Sequence, residues 1–115
     1  MEIQEAYRDN ISVLRPMGRI DSSTAPEFHS KLQEAVGAAE GGVIVDFSDV
    51  EYISSAGLRS LMTAIRQRKD RRLAAAALKP VIKEIFEIAR FQHVIKIFGS
   101  VEQAASAWEP SAPTA

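Results

Sequence analysis

Along the first seven residues apolar and polar positions alternate, with Ile3 and Tyr7 set among Glu2, Gln4 and Glu5. Alternation with this much polarity predicts a short edge strand over Met1 to Tyr7. Arg8-Asp9-Asn10 reads as a turn, and Ile11-Ser12-Val13-Leu14 resumes a strand, so the pair predicts an antiparallel hairpin. Pro16 lacks a backbone donor and belongs at a strand end or bulge, and the segment closes on Gly18 and Ile20-Asp21.

The period then changes. Phe28, Leu32, Ala35 and Val36 recur at helical spacing. Asp21-Ser22-Ser23-Thr24 offers N-cap oxygens ahead of them, Glu27 lies three residues after Thr24, and Pro26 suits a first helical turn. Gly37 to Gly42 ends this helix. Val43-Ile44-Val45-Asp46-Phe47 is apolar without alternation, the pattern of a strand covered on both faces. After a polar loop, Ser54 or Ser55 can cap a second helix with the stripe Leu58, Leu61, Met62 and Ile65. Arg66 to Arg72 is its basic end, either a solvated helix terminus or a docking patch. Leu73 to Leu78 predicts a strand, although alanine by itself favours helix. Pro80 opens a third helix carrying Val81, Ile82, Ile85, Phe86 and Ala89. Val94 to Phe98 predicts the last strand, with His93 at the turn before it, and Val101 to Trp108 the last helix. The order β-β-α-β-α-β-α-β-α implies one α/β sheet, mostly parallel after the hairpin, covered by about four helices. One domain over residues 1–108 and a flexible Pro/Ala tail at 109–115 are expected.

Composition narrows the function. The 115 residues carry 14 basic and 15 acidic side chains, a net charge of −1, which argues against a general electrostatic nucleic-acid binder. Without cysteine there is no disulfide, thiol catalysis or Cys-type zinc site. No run approaches the roughly 20 apolar residues of a membrane span, and the polar N-terminus lacks the apolar stretch of an export signal, so a cytoplasmic setting is expected. Gly-rich phosphate loops, a GxSxG elbow and HExxH are absent from the sequence. His29 and His93 have no positional reason to meet a serine, and both read as surface or partly packed residues. No enzyme, cofactor or metal is expected.

The unusual segment runs from Asp46 to Leu58, where a buried strand leads through a polar loop into a helix at two adjacent serines. One capping serine suffices. Gly57 in the first turn costs about 1 kcal/mol relative to alanine, a cost that close approach of another backbone or a partner would justify. A phosphate suits such a position, because first-turn amides are unpaired and the helix dipole is positive there.

Asp46-Phe47-Ser48-Asp49-Val50-Glu51-Tyr52-Ile53-Ser54-Ser55-Ala56-Gly57-Leu58 resembles the signature of STAS domains, the anti-sigma factor antagonists of bacteria. Gly18-Arg19-Ile20-Asp21 resembles the family's Gly-x-Leu-Asp element. Pro80 to Phe91 resembles its later helix, and Ile97-Phe98 to Ala104-Ala105 its ending. The resemblance spans nearly the whole chain and implies a STAS-like α/β fold.

It also implies a site. The family pattern Asp-Ser-Ser/Thr-Gly-Leu puts the phosphorylated serine on Ser55, with Ser54 as second choice and in the place of an acidic residue. Arg59 stands where many members have a second glycine. Asp21, Ser22, Ser54, Ser55, Ala56, Gly57, Leu58 and Arg59 would then meet the partner. Asp21 is expected either to orient Ser55 or contact a kinase, or to cap the first helix. Asp46 and Asp49 are expected in loop hydrogen bonding. Ile53 is expected in the core, and Tyr52 in core or interface. The implied partners are a GHKL-type serine kinase/anti-sigma factor and a serine phosphatase, with no nucleic acid and no membrane insertion. Monomer or weak dimer is the expected state. The alternatives are a STAS subunit of a bacterial lipid-transport ABC complex, or a binding module that is never phosphorylated.

Overall fold

The computed structural model describes residues 1–68, 70 and 72–108. The tail expected at 109–115, and Lys69 and Arg71 of the basic segment, lie outside the described residues.

The uninterrupted apolar run becomes β4 (Gly42–Asp46), and Val43, Ile44 and Val45 are all fully buried. It lies at the centre of a five-stranded sheet of order β1-β2-β4-β6-β7, with β1 (Ile3–Arg8), β2 (Ile11–Pro16), β6 (Leu73–Ala76) and β7 (Lys96–Phe98). β1 and β2 form the expected antiparallel hairpin, with Ala6 opposite Val13. The pairings of β2 with β4, β4 with β6 and β6 with β7 are parallel. β1 is the polar edge strand its alternation predicts. Its Glu5 accepts from buried Ser12 Oγ at 3.0 Å and pairs with Lys31 Nζ at 3.0 Å. These contacts hold the Glu5 carboxyl below its ordinary range, the Lys31 bond being the largest cause.

Among the described residues four helices cover the sheet: α1 (Ala25–Ala38), α2 (Ser55–Gln67), α3 (Pro80–Ile88) and α4 (Val101–Trp108). Alternation along the strands divides the core in two. Leu14, Val43, Val45, Leu73 and Ala75 meet Phe28, Leu32, Leu61, Ala64, Ile82 and Phe86. Ile11, Val13, Ile44, Ala74 and Ala76 meet Ala104 and Ala105 of α4. The alanine run is thus a central strand between helices on both faces, where small side chains permit close approach and packing overrides helix propensity. Phe86 stacks edge-on against Phe47 and Phe91, with ring centres 5.6 and 5.5 Å apart.

Several expectations need correction. A short strand β5 (Val50–Ile53) lies within the segment read as a polar loop. It pairs in parallel with β3 (Gly18–Ile20), forming a second, two-stranded sheet beside the first. Strand β6 stops at Ala76, because Ala77 adopts φ 58° and breaks the extended run before Leu78. Strand β7 begins only at Lys96, since Phe91–His93 form a 3₁₀ turn; His93 does fall between helix and strand. On α3, Ile82 and Phe86 are buried and Ile85 half-buried, but Val81 and Ala89 face outward. Thr24 is the N-cap residue of α1 yet makes no side-chain cap; its Oγ1 donates to the Arg19 carbonyl at 2.7 Å. Glu27 pairs with the Met1 amine at 2.8 Å rather than closing a capping box.

The basic end of α2 is not simply solvated. The Arg68 side chain is only 9% exposed and paired with Asp70. Its guanidinium donates to the carbonyls of Val36, Ala39 and Glu40, where α1 ends. One arginine thereby satisfies carbonyls that the helix terminus leaves without intrahelical partners.

Candidate functional site

The junction of β5 with α2 lies against the junction of β3 with α1. Parallel pairing brings Tyr52 beside Arg19 and Ile53 beside Ile20. The Ser54 amide then donates to the Ile20 carbonyl at 2.8 Å. Ser54 has extended backbone (φ −86°, ψ 172°), and its Oγ accepts from the Gly57 amide at 3.3 Å. Of the two adjacent serines, Ser54 is therefore the N-cap, and it is half-buried. Ser55 is the first helical residue, and it is exposed.

Gly57 has an internal reason. It is buried, and a Cβ there would lie 2.7 Å from Ile53 Cγ1 and 2.8 Å from Ile20 Cγ2. The missing side chain lets the first turn of α2 sit on those two core residues, an internal close approach of the kind its glycine allows. Leu58 is half-buried and packs on the core; Ala56 is half-buried. Ser22 and Arg59 are exposed beside Ser55's end of the helix and line a groove of about 440 Å³ between α1 and α2.

Among the described residues no hydrogen bond joins Asp21 to the Ser55 hydroxyl. Its Oδ1 accepts from the Ser23 amide at 3.0 Å, Ser23 Oγ at 2.7 Å and the Thr24 amide at 3.2 Å. The Ser23 hydroxyl, foremost among these donors, holds its carboxyl below the ordinary range. The carboxylate thus organises the entrance to α1, the second of the two roles expected for it. Arg19 Nε lies 4.0 Å from Asp21 Oδ2, and its guanidinium carbon stands 4.5 Å over the Tyr52 ring. Tyr52 is therefore a half-buried platform for a cation rather than a core residue, while Ile53 is in the core at 1% exposure. Asp46 accepts from the Ser48 amide at 2.9 Å, and Asp49 pairs with Arg15, its Oδ2 2.6 Å from Nε.

Sequence reasoning missed one pairing. In the α1–α2 groove His29 Nδ1 lies 3.3 Å from Ser60 Oγ, although the residues are 31 positions apart. Ser60 is buried and its hydroxyl is placed to donate to the Ala56 carbonyl at 3.2 Å, an arrangement in which Ser60 Oγ accepts from His29 in its Nδ1–H tautomer. A serine whose proton is committed to a helix carbonyl is a packing contact, not an activated nucleophile. Only the apposition of α1 and α2 brings the two together. Among the described residues no cluster of three or more His, Asp or Glu side chains could hold a metal ion, and no helix is long and apolar enough to cross a membrane.

The chain is similar to known proteins over nearly its whole length. The STAS domain model matches residues 2–104. The putative anti-sigma factor antagonist BtrV of Bordetella bronchiseptica is 31% identical over 107 residues, covering 91% of this chain and 92% of that protein. The crystal structure of an anti-sigma factor antagonist from Mycobacterium paratuberculosis superimposes with a TM-score of 0.88 at 21% identity, covering 95% of this chain and 94% of that one. The Bacillus cell fate determinant SpoIIAA, solved in its phosphorylated form, has a TM-score of 0.68 at 16% identity, covering 92% of this chain and 98% of its own. With a matching family model over almost its full length and an anti-sigma factor antagonist among its relatives at this identity, the chain belongs to the STAS domain family.

Proposed function

We propose that this chain is a partner-switching antagonist whose binding state is set by phosphorylation at Ser55. In the unmodified state the surface around Ser55, with Ser22, Ala56 and Arg59, docks a serine kinase that is also an anti-sigma factor, and so frees a sigma factor. The kinase supplies ATP and Mg²⁺. Ser55 Oγ attacks the γ-phosphorus, the bond from that phosphorus to the β–γ bridging oxygen breaks, and ADP leaves. The hydroxyl proton passes to a base on the kinase. A phosphatase reverses the change by hydrolysis.

The observation that carries the reading is the division of labour between the serines. Ser54 caps the helix through Gly57 at 3.3 Å, and Ser55 is left exposed on the first turn. Phosphorylation there adds about −1.5 to −2 charges at pH 7 without displacing a hydrogen bond of the fold. A surface complementary to a neutral hydroxyl then meets charge and bulk. That a structural relative has been solved phosphorylated supports the reading.

The test is calorimetric titration of the kinase encoded with this chain. The unmodified chain binds, and Ser55→Ala binds comparably. Ser55→Asp weakens affinity at least about tenfold, the effect of roughly 1.4 kcal/mol. Equal affinity for Ser55→Asp and the native chain contradicts the charge mechanism.

A further inference from the structure

Arg59 is a cation without an anion. Its side chain is exposed, one turn into α2, and no carboxylate among the described residues approaches it within ion-pair distance. Its neighbours on the helix surface, three and four residues away, are Ser55, Ala56, Met62 and Thr63, none of them acidic. Across the groove, α1 presents Pro26, His29 and Ser30. Asp21, on the segment that leads into α1, is already occupied by Ser23, Thr24 and Arg19. The first turn of α2 carries no acid at all. A cation near the positive end of a helix, with no counter-ion, is electrostatically unfavourable.

The spacing supplies a missing partner. Ser55 precedes Arg59 by four residues, so the two side chains share one helix face. Helical side chains lean toward the N-terminus, the direction in which Ser55 lies. The negative group stands N-terminal and the positive group C-terminal, the favourable orientation for an i,i+4 pair. We infer that Arg59 is the intramolecular receptor of the Ser55 phosphate: a latch that lies open in the unmodified chain and closes on the phosphate dianion. A planar guanidinium can grip two phosphate oxygens at once. Closure would do two things. It would stabilise the fully ionised phosphate at neutral pH, and it would withdraw from the docking surface the one cation that α2 presents beside Ser55. The latch rests on Ser55 being the modified residue.

The experiment installs phosphoserine at position 55 by amber suppression, so no kinase is needed, and follows the second ionisation of the phosphate by ³¹P NMR at low salt. Arg59→Gln should raise that pKa by roughly 0.15–0.4 unit, the i,i+4 ion-pair energy divided by about 1.4 kcal/mol per unit. Arg59→Lys should retain part of the effect. Arg66→Gln, an exposed change in the last turn of the same helix, should have little effect. The shift should shrink as salt is added. Circular dichroism of each variant checks that α2 is intact. A pKa unmoved by Arg59→Gln, or moved equally by Arg66→Gln, overturns the latch. Failure of the switching reading shows separately, as a native chain that its kinase does not modify at Ser55.

Discussion

The Gly57 amide donates to Ser54 Oγ at 3.3 Å, and this single bond makes two adjacent serines chemically unequal. Ser54 satisfies a first-turn amide that has no intrahelical partner, and Ser55 satisfies none. Ser54→Ala should therefore cost about 1 kcal/mol of stability, the usual worth of a serine cap. Ser55→Ala should leave stability nearly unchanged. Urea denaturation of the two variants checks this, and equal losses would mean that the hydroxyls share the cap.

Gly57→Ala sets helix propensity against packing. Alanine gains about 1 kcal/mol over glycine inside a helix. The added methyl would, however, press on Ile53 Cγ1 at 2.7 Å and Ile20 Cγ2 at 2.8 Å, both fully buried or nearly so. Overpacking of this kind costs roughly 1–3 kcal/mol. The variant should be less stable than the native chain and should shift the NMR resonances of the Ile20 and Ile53 methyls. A more stable variant with those methyls unmoved would show that the site has room.

Arg68 and Asp70 give the fold a pH signature. The Arg68 guanidinium, foremost, holds the Asp70 carboxyl at about 2 against an ordinary 3.8. A depressed carboxylate stabilises the fold above its unfolded pKa, and that contribution is lost as pH falls through the folded value. Asp70→Asn should thus be less stable than the native chain at pH 7, with the difference closing between about pH 4 and pH 2. The Asp70 side chain is 42% exposed, so solvent screening keeps the effect small. Arg68→Ala should cost more, roughly 2–3 kcal/mol, because three carbonyls at the end of α1 lose a charged donor. Denaturation midpoints against pH read both effects, and a gap for Asp70→Asn that stays constant down to pH 2 would contradict the pairing.

Much of this was legible before any coordinates, for physical reasons that differ by element. The hairpin, β4 and the helices announce themselves through local periodicity and local caps. β5 does not: Val50-Glu51-Tyr52-Ile53 buries both ends without alternating, and it is a strand only because β3 lies alongside. The Arg68 contacts to Ala39 and the His29–Ser60 pair span 29 and 31 positions, and no local pattern encodes them. At the site, the resemblance pointed to Ser55 and the coordinates supplied the reason the two serines differ. Of the roles open to Asp21, its contacts to Ser23 and Thr24 supply the one at the start of α1, and the closeness of Ile20 and Ile53 supplies an internal reason for Gly57.

The most direct measurement of the central claim is phosphosite mapping. The native chain is incubated with its kinase and ATP, and the product is analysed by intact-mass and tandem mass spectrometry. The account predicts a single addition of about 80 Da, one phosphoryl group, on Ser55, and none when Ser55 is replaced by alanine. An unmodified chain, or a phosphoryl group on Ser54 or elsewhere, would contradict it.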